Sequence, residues 1–190
     1  MMVTLDETAK ALEGIWRLAI FDRAAVANFG KDLRSCARSF WAYALALPAT
    51  LLLVALSVAT DKPDDPFLLA ASQITGDIVQ AVGFPLLMLP LLRWYGRRAH
   101  WAWFVTGYNW LMMAQAVVLV AVLGLMWDMP GGGMRAVVFD VLLVYFYVLE
   151  AFLADAVLQV GALRAALIVA IDLAFSTGID RLANWIGGVS

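Results

Sequence analysis

Residues 39–60 read SFWAYALALPATLLLVALSVAT, an unbroken run between Arg38 and Asp61 without a charged side chain. A helix rises about 1.5 Å per residue, so about 20 apolar residues cross a hydrocarbon core of about 30 Å. Four more long apolar segments follow, at about 67–92, 101–127, 135–158 and 164–186. Lipid offers the backbone no hydrogen-bond partners, which leaves helices and closed barrels as spanning structures, and segments of this length suit helices. The sequence therefore predicts an all-α fold: a polytopic integral membrane bundle of five transmembrane helices over 39–190. A cytoplasmic segment, 1–38, precedes it.

Composition agrees. Hydrophobic residues make up 64% of the chain, against about 45–50% in soluble domains. Charged residues are only 15%, and the mean hydropathy is +0.84. Cys36 is the one cysteine and His100 the one histidine, which excludes an intramolecular disulfide and a paired-histidine metal motif. No basic cluster suits nucleic acid. Gly131-Gly132-Gly133 lacks the Lys-Ser/Thr of a phosphate loop, and no serine stands in a G-x-S-x-G context. Catalytic residues, a metal site and a cofactor are accordingly not expected, nor is an enzyme. Residues 1–38 are mixed in charge and lack a compact apolar core before a small-residue cleavage site, so no cleaved signal peptide is expected.

Residues 5–29 carry a helical rhythm. Leu5, Ala9, Leu12, Trp16 and Ala19 recur on one face, with Ile15 beside them. Asp6 and Glu13 stand four residues before Lys10 and Arg17, the favourable order for helical ion pairs. Two placements are open for this amphipathic helix. It packs against the membrane domain, or it lies in the interface with Trp16 and Phe21 among the lipid headgroups.

Basic residues set orientation. Lys10, Arg17, Arg23, Lys31, Arg34, Arg38, Arg93, Arg97, Arg98 and Arg164 fall on one side of the spans, and Lys62, Arg135 and Arg181 on the other. The bias predicts a cytoplasmic N-terminus and an external C-terminus, in a bacterial inner membrane. Trp41, Trp94, Trp101 and Trp103 gather at the cytoplasmic span ends, and Trp127 and Trp185 at the outer ones. Arg93, Arg97 and Arg98 are placed to pair with Asp155 or to hold lipid phosphate.

An ionisable side chain near mid-bilayer costs about 2.5–3.5 kcal/mol on insertion scales, so each one needs a partner. Gln73, Asp77 and Gln80 form a polar stripe on the second span, at i, i+4 and i+7. Gly76 and Gly83 flank it and admit a close neighbouring helix. The third span carries Thr106 and Asn109 on one side, and Tyr108 and Gln115 on another. The fourth carries Asp140, Glu150 and Asp155, and the fifth Asp172 and Ser176. Glu150, Asp172 and Asn109 are expected in the cytoplasmic half, Asp77 nearer the centre, and Asp140 and Asp155 close to water. No Lys or Arg accompanies the inner acids, so protons on the carboxyls, a cation or a water-filled route must balance them. The first span, free of charge, reads as an anchor.

The stretches Ser39–Pro48 (SFWAYALALP), Pro85–Pro90 (PLLMLP) and Val105–Trp110 (VTGYNW) resemble bacterial five-span proteins that are similar to the Yip (Ypt-interacting protein) membrane family. That resemblance implies five helices behind a cytoplasmic segment and a role without enzymatic activity. It implies no site residues. Polar and small-residue helix faces without a catalytic constellation predict a non-catalytic scaffold or accessory subunit that organises a membrane complex or envelope process. Its partners would be the lipid bilayer and a membrane protein or a second copy of itself. The alternative is a small proton- or cation-coupled transporter or channel that uses Asp77, Glu150 and Asp172.

Overall fold

The computed structural model describes residues 3–126 and 132–188. Among them are seven α-helices and no strand: α1 (Leu5–Ala19), α2 (Leu33–Ser39), α3 (Trp41–Asp61), α4 (Pro66–Trp94), α5 (Trp101–Leu125), α6 (Gly132–Leu158) and α7 (Ala162–Ile186). Five stretches are long and apolar enough to cross a membrane: Leu33–Thr60, Pro66–Trp94, Arg98–Leu125, Gly133–Leu158 and Ala162–Ile186. The chain is a multi-pass, all-α membrane protein. Trp127, expected at the outer end of the third span, and Gly131 lie outside the described residues.

Helix ends fall where the sequence supplies capping chemistry. Thr4 caps α1 and Glu7 reciprocates, a capping box. Asp65 accepts from the amides of Phe67 and Leu68, both at 3.0 Å, and Pro66 opens α4. Gly161 turns the chain into α7 with φ +84°, which glycine adopts without strain.

The N-terminal segment differs from the sequence expectation. The helix expected over 5–29 stops at Ala19. Phe21 takes a left-handed backbone (φ 58°), and Asp22 accepts from the Ala24 amide at 2.8 Å and from Arg17 Nε at 2.7 Å. These local bonds compete with helix continuation and begin a separate 3-10 turn, Arg23–Asn28. Asn28 Nδ2 donates to the Lys10 carbonyl at 3.1 Å, which folds the turn back along α1. Arg17 therefore pairs with Asp22, and Glu7 with Arg38; neither expected i, i+4 ion pair is found among the described residues. The buried face is rotated too. Ala11, Gly14 and Leu18 are buried, while Leu5, Leu12 and Trp16 stay exposed.

α5 is the hub of the bundle. It packs between α3 and α6 and against α1 and α2; α7 lies between α6 and α4, and a slighter α3–α4 contact closes a ring. Residues 104–111 of α5 are buried without interruption. The close approach expected at Gly76 and Gly83 is made by α7. A Cβ at Gly76 would lie 3.3 Å from Ile179 Cγ2, and one at Gly83 would lie 2.7 Å from the tip of the Phe175 ring. Trp101 Nε1 donates to the Pro85 carbonyl at 2.7 Å and Trp103 Nε1 to the Val26 carbonyl at 2.8 Å, tying the start of α5 to α4 and to the 3-10 turn. Leu45, Leu52, Val79, Leu86, Val141 and Leu167 are exposed apolar side chains on the spanning helices, suited to contact with lipid.

Candidate functional site

A cavity of about 600 Å³ lies within the ring, and all five long helices line it. α4 contributes Gln73, Asp77 and Gln80, which share one side because their spacing follows the helical repeat. α7 contributes Asp180 and Asn184, α3 Tyr43, Thr50 and Ser57, and α5 Tyr108 and Gln115. No lysine, arginine or histidine is among the lining residues. Gln80 Nε2 donates to Asp180 Oδ1 at 2.7 Å. Gln73 Nε2 donates to Ser57 Oγ at 2.8 Å and to Asn184 Oδ1 at 3.4 Å. Asp77 has no hydrogen-bond or ion-pair partner among the described residues, and the nearby Asp180 carboxylate acts on it electrostatically. Ser57 and Asn184 stand near the ends of α3 and α7 and Gln73 early in α4, so the cavity reaches the far end of the bundle. Tyr43 and Tyr108 form its floor towards the end that carries α1.

Two hydrogen-bonded groups continue from that floor. Tyr108 Oη donates to Asp172 Oδ1 at 3.2 Å and Oδ2 at 3.1 Å. Asp172 also stands beside Glu150, whose side chain is almost wholly buried and whose Oε1 has no hydrogen-bond partner among the described residues. The second group starts at Tyr43, whose Oη donates to Asn109 Oδ1 at 3.3 Å. Asn109 Nδ2 donates to Ser39 Oγ at 2.9 Å, and Ser39 Oγ to the Cys36 carbonyl at 2.7 Å. Asn109 has no exposed surface.

Ser39 borders a second cavity, of about 240 Å³, which Glu7, Lys10, Ser35 and Arg38 also line. Burial raises the Glu7 carboxyl there, but the Thr4 amide and the paired Arg38 guanidinium outweigh it and hold the group below its ordinary value.

The structure thus divides the expected polar residues. Gln73, Asp77 and Gln80 meet in the large cavity, Glu150 and Asp172 pair behind its floor, and Asn109 stands between the two cavities. Asp155 is held by Arg23 and by the Gly161 amide at 2.9 Å, because the Arg23–Asn28 turn lies against α6. The expected pairing of Asp155 with Arg93, Arg97 or Arg98 is therefore not made. Arg97 donates to the Gln159 carbonyl at 3.3 Å, and Arg93 and Arg98 are exposed. Trp16 is exposed beside an apolar groove shared with Leu12, Ile15 and Leu111. Phe21 packs edge-on against Phe152 and Tyr145, with ring centroids 5.4 and 6.2 Å away.

Sequence reasoning missed Asp180, Asn184, Tyr43, Thr50 and Ser57 as cavity residues. The signals were present: Asp180 and Asn184 are four apart, and Tyr43, Thr50 and Ser57 recur at every seventh position. Among the described residues no group of three or more His, Cys, Asp or Glu is placed to hold a metal ion. No protein-family model, curated protein or solved structure matches the chain.

Proposed function

We propose that this membrane protein is a non-catalytic carrier or channel that admits a small cation into its central cavity. The charge of the cavity carries the reading: Asp77 and Asp180 face it, and no basic side chain lines it. Two carboxylates between low-dielectric walls attract a cation and repel an anion. Amide and hydroxyl oxygens from Gln73, Gln80, Asn184 and Ser57 replace part of a hydration shell. Asp77, without a protein partner, is the free acceptor. We further propose a bacterial inner membrane with the N-terminus in the cytoplasm, since ten of the thirteen basic residues lie on that side. The cavity then opens outward. The scaffold or accessory-subunit reading, and the lack of enzymatic activity that the Yip-family resemblance implies, require no such cavity.

The test is transport in liposomes of phosphatidylethanolamine and phosphatidylglycerol. Uptake of ammonium, methylammonium, choline, potassium and sodium is measured under an imposed potential, with acetate and glycerol as controls. The expected result is flux of at least one cation, lost in Asp77→Asn and reduced in Asp180→Asn. No flux through folded protein, or flux indifferent to both substitutions, refutes the transport reading. Cross-linking that then captures a membrane partner would favour the scaffold.

A further inference from the structure

We infer that Asn109 is a selectivity residue: its carboxamide is a proton-insulating seal between the central cavity and the smaller cavity at the α1 end. The inference deepens the proposed function and shares its premise that water fills the central cavity.

The two cavities are separate, yet they approach each other at one seam. Tyr43 lines the larger and Ser39 the smaller, one helical turn apart across the junction where α2 ends and α3 begins. Asn109, from α5, bonds both. The seam is continuous in hydrogen bonds, from Tyr43 Oη through the amide to Ser39 Oγ and the Cys36 carbonyl.

Continuity alone does not conduct. A proton hops along a chain when each member accepts on one side and releases from the same group on the other, as hydroxyls, waters and carboxyls do. A carboxamide accepts only at oxygen and donates only from nitrogen, and that nitrogen has no available lone pair. The conclusion is the same whichever way the amide is turned. The Ser39 hydroxyl beyond the amide is a group that can relay and it borders the smaller cavity, so the amide is the break in the chain. Titratable side chains stand on both sides: Asp77, Asp180 and Tyr108 in the larger cavity, Asp172 and Glu150 behind Tyr108, and Glu7, Lys10 and Arg38 in the smaller. An amide at position 109 keeps these two sets from exchanging protons while a cation occupies the central cavity.

The experiment uses the full chain in pyranine-loaded liposomes with a potassium–valinomycin potential driving protons inward. Wild-type protein is expected to hold the pH gradient. Asn109→Asp keeps the size; its carboxyl accepts from Tyr43 Oη and, once protonated, donates to Ser39 Oγ, and it should collapse the gradient while leaving trapped calcein inside. Adding Tyr43→Phe to Asn109→Asp should restore tightness, and Asn109→Leu, which relays nothing, should stay tight. A leak from Asn109→Leu equal to that of Asn109→Asp would indicate loosened packing and overturn the assignment. In parallel, Thr50→Cys in a Cys36→Ala background is treated with a charged methanethiosulfonate reagent. No reaction overturns the water-filled cavity and both readings with it. Reaction together with a tight Asn109→Asp overturns the seal alone.

Discussion

Replacing Tyr108 by phenylalanine removes one hydroxyl from the cavity floor and little else. Its ring stands 4.9 Å from Phe84 and 6.0 Å from Phe104 between centroids, and phenylalanine keeps both contacts. What is lost is the donor shared by the two oxygens of Asp172 at 3.1 and 3.2 Å. Those distances exceed the roughly 2.7–2.8 Å usual for O–H···O bonds, and one hydrogen shared by two acceptors is weaker still. Side-chain bonds within helical membrane proteins average about 0.6 kcal/mol and reach about 1.7. Asp172 is 7% exposed, so water replaces the lost donor poorly, which lifts the expectation above that average. We expect a loss of about 1 kcal/mol, between the average and the maximum for such bonds. The assay is unfolding by sodium dodecyl sulfate in mixed micelles, followed by tryptophan fluorescence. A double-mutant cycle with Asp172→Ala isolates the pair. Coupling under about 0.3 kcal/mol, the scatter of unconnected sites, refutes a bond between cavity floor and buried acid.

Three further outcomes follow from the same geometry. Glu150 is almost wholly buried beside Asp172, so Glu150→Gln, which keeps a polar side chain of that size, should melt near the wild type, whereas Glu150→Leu sets an apolar group against Asp172 and should cost about 1–3 kcal/mol; equal melting of the two would contradict a polar contact between them. Gly83→Ala presses on the flexible tip of the Phe175 ring and should be tolerated, while Gly83→Leu overpacks the α4–α7 contact by about 1–3 kcal/mol; detergent melts that rank them the other way would show that α7 does not sit there. Acid should release the N-terminal unit first. The Ala24 amide and Arg17 hold the Asp22 carboxyl below its ordinary value, and the Ser35 amide does the same for Asp32, in each case against burial. With Glu7 also depressed, their contribution is complete above the ordinary carboxylate values, near pH ~4, and is lost as pH falls through the lower folded ones. Hydrogen exchange over 5–28 should therefore accelerate before that of α5 as pH drops, and simultaneous loss would count against docking through these groups.

The spans were legible because lipid imposes a length and a composition that few residues disguise. The second-span stripe was legible for a related reason: Asp77 and two glutamines break an apolar pattern at helical spacing. The N-terminal helix was read too long, and its apolar rhythm marks the face left exposed, which suits the interfacial placement of Trp16 rather than the packed one. The face that docks is built on Ala11 and Gly14, whose small size allows close approach and gives no hydropathy signal. Nothing along the chain announces that Asp22 bonds backward to Arg17, or that Arg23 reaches Asp155 over 132 residues. Pairings of that kind depend on how helices are ordered around the ring, and α5 meets α3 rather than its chain neighbour α4 as a main partner.

The charge-free run at 39–60 shows how a span without charge still serves a polar site. Tyr43, Thr50 and Ser57 stand seven residues apart, and a straight α-helix drifts only about 20° over that interval. All three therefore share one side of α3, and all three line the cavity. α4 returns antiparallel with Gln73, Asp77 and Gln80 on its inner side, so the end of one stripe meets the start of the other. The 2.8 Å bond between Gln73 and Ser57 is that meeting. Hydroxyls supply hydrogen bonds without the insertion cost of about 2.5–3.5 kcal/mol that a carboxylate brings to a span centre. α3 thus crosses lipid as an apolar helix while presenting a polar edge inward, and the carboxyls that line the cavity are Asp77 on α4 and Asp180 on α7. Hydropathy averages over the circumference of a helix and passes over such an edge. Angular position identifies it, and by that measure the anchor is one wall of the site.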